Sequence, residues 1–265
     1  MSLEDKIDKI MVVSDIHVPY QDKRAVEIMH EFSKDYKPNK IYINGDLVDF
    51  YKLSTFDQDP YRKETVKDEV YMARLFLSEL RKNNPRSNIT FLHGNHENRL
   101  QRYLWRNPEL DGLDVLQLKK LLDLDKYHIK EVSVDGDYWG KATGHVKQGD
   151  AIIMHGDNRL NGASTSKYAG YSVKNTMLNG SNQSVVMGHI HRGAVIHHST
   201  PYRTLTGVEG GCLCKIPGTA NWQQGFVTFE TEKGKNHNYQ FHHIEHGKLI
   251  EGKSKYPKKI WQKNQ

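Results

Sequence analysis

The sequence predicts an α/β fold, with a parallel sheet in its first half and a second, more antiparallel sheet after it. Two observations carry this reading. As far as residue 92, short apolar runs alternate with stretches of helical spacing, the signature of parallel strands joined by crossover helices. After about Lys130 the runs stay short and strand-like while helical patterns thin out.

Residues 10–13 form the first apolar run. Ala25, Ile28, Met29, Phe32 and Tyr36 then recur at helical spacing, which predicts an amphipathic helix over residues 22–36. Residues 41–43 give a second strand. Val66, Val70, Ala73, Leu77 and Leu80 mark a longer helix, and residues 89–92 a third strand. Further on, residues 151–154 and 185–187 are again strand-like. Residues 195–196, 204–205, 226–229 and 239–244 follow with little helix between them, and are assigned to the second sheet.

A chain of 265 residues suits one large α/β domain or two small ones. With no internal repeat and no Pro/Gly-rich linker, one domain over residues 1–247 is expected. The lysine-rich residues 248–265 read as an extended basic tail. No apolar run reaches the roughly 18 residues of a membrane span, and residues 1–9 are charged, unlike a signal peptide. The two cysteines, Cys212 and Cys214, are too close for a good disulfide and too few for a zinc cage. They read as reduced packing residues in a cytoplasmic protein. The net charge of +6 suits a polyanionic substrate and suits a solvated basic surface equally well. Histidine is abundant, with 15 residues.

Five strand-like runs lead into metal-type residues: Asp15-Ile16-His17, Gly45-Asp46 with Asp49, Gly94-Asn95-His96-Glu97, His155-Gly156, and Gly188-His189-Ile190-His191. Loops after strand carboxyl ends converge on one crevice in open α/β sheets, the usual place for a ligand. Gly45, Gly94 and Gly188 each precede a polar residue of this set, where a missing side chain leaves room for a sharp turn and an ion. Stability alone does not explain carboxylates and imidazoles gathered at five strand ends.

The ordered set resembles the calcineurin-like metallophosphoesterase superfamily, which includes Ser/Thr protein phosphatases, SbcD-type nucleases, cyclic-nucleotide phosphodiesterases and phage-encoded phosphoesterases. The resemblance spans Asp15 to His191. It implies two mixed β-sheets packed as a sandwich with flanking helices, and two divalent ions sharing a hydroxide that attacks a phosphate ester. Asp15, His17 and His191 would hold the first ion, Asn95, His155 and His189 the second, and Asp46 both. The oxygen and nitrogen donors suit manganese, with Fe, Zn, Ni or Mg as alternatives. His96 resembles the catalytic histidine, which protonates the leaving group or stabilises the transition state, and Asp49 would orient it. Glu97 reads as structural, favouring the positive end of the helix it opens.

The resemblance departs at two positions. Protein phosphatases of this superfamily carry arginines where this chain has Phe50 and His93, which argues against phosphoprotein substrates. Arg99 and Arg102 share a helix face after the His96 loop, and Arg192 abuts a ligand, so these three are expected to contact substrate. Basic residues interleaved with aromatics near the motifs suit single-stranded DNA or RNA. The reading is a phosphodiesterase, with nucleic acid as one substrate. The alternatives are a phosphomonoesterase acting on nucleotides, phosphoproteins or metabolites, and a non-catalytic scaffold. No membrane partner is expected, and oligomeric state is not legible.

Overall fold

The computed structural model describes residues 7–110, 112–132, 144–157, 166–218, 220–252 and 254–258. The elements run β1 (Asp8–Val13), α1 (Lys23–Tyr36), β2 (Lys40–Asn44), α2 (Val66–Asn83), β3 (Asn88–Leu92), α3 (Glu97–Arg106), α4 (Leu118–Leu121), β4 (Ile129–Val132), β5 (His145–Gln148) and β6 (Ala151–Met154). There follow α5 (Tyr171–Asn175), β7 (Ser184–Met187), β8 (Gly193–Ser199), β9 (Thr204–Gly210), β10 (Gln224–Glu232), β11 (Lys235–Ile244), β12 (Leu249–Glu251) and β13 (Ser254–Tyr256).

Two sheets stack face to face. The first has the order β11-β10-β1-β2-β3-β4, and the second β5-β6-β7-β9-β8. Strand alternation explains the layering. On β1, Ile10 and Val12 face the second sheet and join Tyr42, Leu92, Ile153, Val186, Val208, Val227 and Phe229 in the inner core. Met11 and Val13 face the other way, with Ile41, Ile43, Ile89 and Phe91, onto Ala25, Ile28 and Met29 of α1 and Ala73, Leu77 and Leu80 of α2. Ile152, Met154, Val185 and Met187 carry the outer face of the second sheet against Val173 and Met177 of the α5 region. The result is the expected mixed sandwich with helices outside. The helices start where their caps dictate: Asp22 accepts from the N–H groups of Arg24 and Ala25, and Thr65 with Asp68 closes a capping box on α2.

Two expectations need correction. Residues 226–229 and 239–244 lie not in the second sheet but in the first, as β10 and β11, with β10 antiparallel to β1 through pairs such as Val12 and Val227. The physical reason is that β10 is apolar on both faces. Val227 and Phe229 enter the inner core and Phe226 the helix-covered one, a pattern that fits a central strand. The second sheet is mixed, with β6, β7 and β9 parallel and β5 and β8 antiparallel at its edges. Nor are residues 249–256 an extended tail. They form a hairpin whose Leu249 and Tyr256 are buried against the core, while the Tyr256 hydroxyl donates to Asp35 at 2.7 Å. An apolar residue at each end of a charged segment was enough to anchor it. Residues 259–265 of that segment lie outside the described residues. Among the described residues, no helix is long and apolar enough to cross a membrane.

Candidate metal centre and cleft

All five polar loops leave the carboxyl ends of strands, three from the first sheet (β1, β2, β3) and two from the second (β6, β7). They meet at one edge of the sandwich. His191 Nε2 lies 3.1 Å from Asp15 Oδ1 and 3.1 Å from His17 Nε2. His155 Nε2 lies 3.2 Å from Asp46 Oδ2 and 3.1 Å from Asn95 Oδ1. Donor atoms of His155, His189 and Asp46 lie within 4.8 Å of one another. The two groups touch at Asp46, whose Oδ2 is 3.7 Å from His17 Nε2 as well as 3.2 Å from His155 Nε2. The structure thus brings together Asp15, His17, Asp46, Asn95, His155, His189 and His191.

The backbone is bent to make this happen. Asp15, His17, Asp46, His189 and His191 all have φ between 50° and 68°, the left-handed region that non-glycine residues seldom adopt. Such conformations cost about 1–3 kcal/mol each and persist where the surroundings over-determine them. Close approach explains two glycines. A Cβ on Gly94 would collide with Asp46 Oδ1 and the Asp46 nitrogen, and one on Gly188 with the Ser14 hydroxyl and Asp15 Oδ2.

Lone pairs show whether this donor set fits a cation. His155 Nδ1 donates to the Asn44 carbonyl at 2.8 Å, which leaves the Nε2 lone pair aimed at the oxygens of Asp46 and Asn95. Nδ1 of His17 is taken by Asp49 Oδ1 at 3.1 Å, so its Nε2 faces His191 Nε2. Acceptors facing acceptors require positive charge between them, and the titration behaviour agrees. Burial pushes the imidazoles of His17, His155 and His191 down, but hydrogen bonds and charge from Asp15 and Asp46 outweigh it. His191 is held at about 9. For His189, burial and the neighbouring His155 win, and its pKa falls to about 4, so it stands ready as a neutral donor. A divalent ion would replace the protons these rings otherwise hold.

His96 borders the clusters, with a donor atom within 4.8 Å of donor atoms of His17 and Asp46. Its Nδ1 is 2.9 Å from both the Asp49 carboxylate Oδ1 and the Asp49 carbonyl. The same Oδ1 also serves His17. Asp49 therefore positions a metal-type ligand as well as His96, a coupling that spacing did not reveal. Burial pushes the Asp49 carboxyl up, but its two imidazole partners hold it well below the usual carboxylate range. Arg99 closes the shell, donating through one guanidinium nitrogen to the Asp49 carbonyl at 2.8 Å and through another to His96 Nε2 at 3.1 Å.

Glu97 is structural, as expected, and its role is specific. One carboxylate oxygen accepts from the N–H of Gly94 at 2.7 Å and of Asp46 at 2.9 Å, and the other from Val48 at 3.1 Å. It staples the β2 loop to the β3 loop.

The clusters floor a cleft of about 360 Å³ whose walls include Tyr20, Arg62, Cys214, Lys215, Pro217 and Trp222. Of the three arginines expected to contact substrate, only Arg99 reaches the site. Arg102 is exposed and does not line the cleft. The Arg192 guanidinium turns away to donate to the Ser166 carbonyl. Cys214 is a reduced packing residue, and it packs at the site. It lies outside the motifs in sequence, yet its sulfur is within 4.8 Å of donor atoms of His17 and His191. The Cys212 contact and burial push its thiol pKa up, so it packs there as a neutral group. Sequence reasoning missed Cys214, Lys215 and Trp222 because the segment before β10 is pinned by long-range backbone bonds. Leu213 donates to the Asp15 carbonyl at 3.1 Å, and Gln223 to that of His191 at 2.8 Å.

Residues 8–193 match the family model described as "Calcineurin-like phosphoesterase". The chain is 26% identical over 237 residues to the gene 54 protein of Mycobacterium phage L5, covering 83% of this chain and 87% of that protein. It is also 26% identical over 236 residues to the gene 54 protein of Mycobacterium phage D29, covering 82% and 87%. Among solved structures, vacuolar protein sorting 29 from Cryptosporidium parvum aligns with a TM-score of 0.41 at 14% identity, covering 89% of this chain and 97% of that one. The match extends over most of the chain and takes in all five loops that build the centre, and on that ground the protein belongs to the calcineurin-like phosphoesterase family.

Proposed function

We propose that the protein is a phosphoesterase dependent on two divalent metal ions, and that it acts on phosphodiesters, including nucleic acid. The family supports the hydrolase and its need for metal. The observation that carries the dinuclear reading is Asp46 Oδ2, which stands within ion-ligand reach of both histidine groups. Asp15, His17 and His191 would hold one ion, and Asn95, His155 and His189 the other, with Asp46 shared. Bound there, divalent ions would supply a nucleophile from water at neutral pH and offset charge on the phosphoryl oxygens. The oxygen and nitrogen donors favour manganese. The two cysteines are free and buried, which fits a reducing cytoplasm.

The chain's own residues do the rest. His96, with Nδ1 fixed by Asp49, presents Nε2 toward the cleft to give a proton to the leaving oxygen. In the resting arrangement Arg99 occupies that nitrogen, so the arginine must yield when His96 donates. A diester fits better than a phosphoprotein, because the two positions where phosphatases place arginines cannot reach substrate. Phe50 is fully buried, and His93 is paired with Glu131 at 2.7 Å.

Hydrolysis of a bis- against a mono-nitrophenyl phosphate tests the substrate class, and single-stranded DNA cleavage at rising salt tests the nucleic-acid part. Binding should weaken steeply with salt, through counterion release. Robust activity on a phosphopeptide, with none on any diester, would sink the diester reading. Chelation provides a separate check. A ligand that binds only the native chain at about a hundredfold excess over its Kd stabilises it by about 2.7 kcal/mol. Chelator should therefore lower the melting temperature, and Mn²⁺ should restore it. Elemental analysis finding no metal after reconstitution would refute the centre.

A further inference from the structure

With Phe50 and His93 out of reach and Arg99 engaged at His96, the cleft needs another group to hold the phosphate. Arg62 lines the cleft. Its guanidinium carbon lies 4.3 Å from the ring centroids of both Tyr20 and Tyr51, which flank it from two adjacent directions. The two rings stand 6.3 Å apart at 81°, a corner that fixes the direction of the guanidinium. No carboxylate among the described residues lies within ion-pair distance of Arg62. A cation held in the corner of two tyrosine rings, with no carboxylate in ion-pair distance among the described residues, is prepared for an anion.

Trp222 stands among the histidines of the same cleft. Its ring packs edgewise on His191, with centroids 4.1 Å apart at 79°. The next residue, Gln223, is tied to the His191 carbonyl at 2.8 Å, so the indole is anchored to a metal-type ligand. Trp222 is partly exposed, and nearby Tyr168 is 64% exposed, its segment held by Asn221 donating to the Lys167 carbonyl at 3.4 Å. Beyond Arg62 the loop carries Phe56 at 77% and Tyr61 at 85% exposure. Aromatic faces beside a cationic phosphate grip are what an unstacked nucleic-acid strand requires.

We propose that Arg62 is the phosphate clamp of this site and Trp222 a platform for the nucleobase beside the scissile phosphate, so that the substrate is a nucleotidyl phosphoester with an unpaired base. The proposal rests on the phosphodiesterase reading above and assigns that site its specificity.

The test uses the Mn²⁺-reconstituted full chain and two diesters, methyl p-nitrophenyl phosphate and the p-nitrophenyl ester of thymidine monophosphate. Arg62→Gln is expected to raise KM on both about tenfold or more, with manganese content unchanged, and Arg62→Lys to recover only part of the loss. Trp222→Leu is expected to lose about tenfold in kcat/KM on the thymidine ester alone, and Trp222→Phe to keep most of it. Fluorescence anisotropy of a labelled oligothymidylate, in the presence of Ca²⁺ to limit turnover, should weaken in the same order. An unchanged KM in Arg62→Gln overturns the clamp. Equal losses on the two esters in both Trp222 variants, or none, overturn the base platform. If wild type cleaves neither diester but does cleave p-nitrophenyl phosphate, the phosphodiesterase reading fails. The clamp is then decided by the KM of Arg62→Gln on that monoester, and the platform by whether Trp222→Leu weakens oligothymidylate binding.

Discussion

Replacing His96 with alanine is expected to leave both ions bound and to slow turnover by about 10²–10⁴-fold on a nucleic-acid diester, the usual worth of general acid catalysis. The alkoxide released from a nucleic-acid backbone is strongly basic and needs a proton as it leaves. Nitrophenolate is weakly basic and leaves without one, so the same variant should be much less impaired on a nitrophenyl ester. Metal content has to be read beside turnover, because His96 Nδ1 is committed to Asp49 while its Nε2, 3.8 Å from Asp46 Oδ2, stands about as near that oxygen as His17 Nε2 does at 3.7 Å. Asp49→Asn should not simply repeat the pattern in weaker form. Asp49 Oδ1 also holds His17 at 3.1 Å, and losing such outer support typically costs about 10–100-fold in metal affinity. That variant should therefore lose metal as well as turnover, with part of the activity returning at high Mn²⁺. Turnover of both esters, with metal content measured separately, reads all of this. Equal defects of His96→Ala on the two esters would reject the proton-donor role and leave His96 as a binder of phosphate charge.

Asp46→Asn is expected to empty both metal groups together and to reduce activity to the level seen with chelator. The substitution suits the purpose. Asparagine has nearly the same shape, tolerates the left-handed backbone at φ 52°, and keeps an oxygen at Oδ1 for the His96 N–H, now at 2.9 Å. What it removes is the charge at Oδ2, the atom within reach of both His17 and His155. Burial pushes the Asp46 carboxyl up, yet the surrounding histidines hold it well below the carboxylate range, so native Asp46 is an anion. His17→Ala should instead weaken mainly the group around Asp15 and His191. The check is manganese per chain in the two variants beside wild type. Wild-type content in Asp46→Asn would reject the shared-ligand assignment.

How far these residues were legible depended on how local their signal was. Asp15, His17, Asp46, Asn95, His155, His189 and His191 each follow a short apolar run within a few residues, so strand and ligand are read in one window. Their convergence then follows from parallel topology. Trp222 and Lys215 carry no such signal, since they reach the cleft only through backbone bonds to residues more than 20 positions away in the chain, such as that of Lys215 to Tyr20. Arg192 shows the converse. Sequence adjacency to His191 suggested a substrate contact, but the left-handed backbone at His191 breaks any simple relation between neighbours, and Arg192 turns to Ser166. The placement of β10 was beyond local reading as well. An apolar run announces a strand without naming its neighbour, and both faces of β10 had to be buried before its central position made sense.

That placement bears on the order in which the molecule can be made. During synthesis β1 emerges first and can pair with β2 early, but its other edge stays open until residues 224–232 leave the ribosome. An open apolar edge invites pairing with other chains. Closing it requires a contact spanning more than 200 residues, the slow kind of step in folding. The nascent protein would therefore hold every predicted ligand before it holds a finished scaffold for them, and metal uptake would come late. A fragment ending at residue 193 tests this directly. It keeps the whole family-matching segment, yet it is expected to aggregate and to retain no manganese on gel filtration. A soluble, metal-loaded fragment would show that β1 needs no partner on that flank.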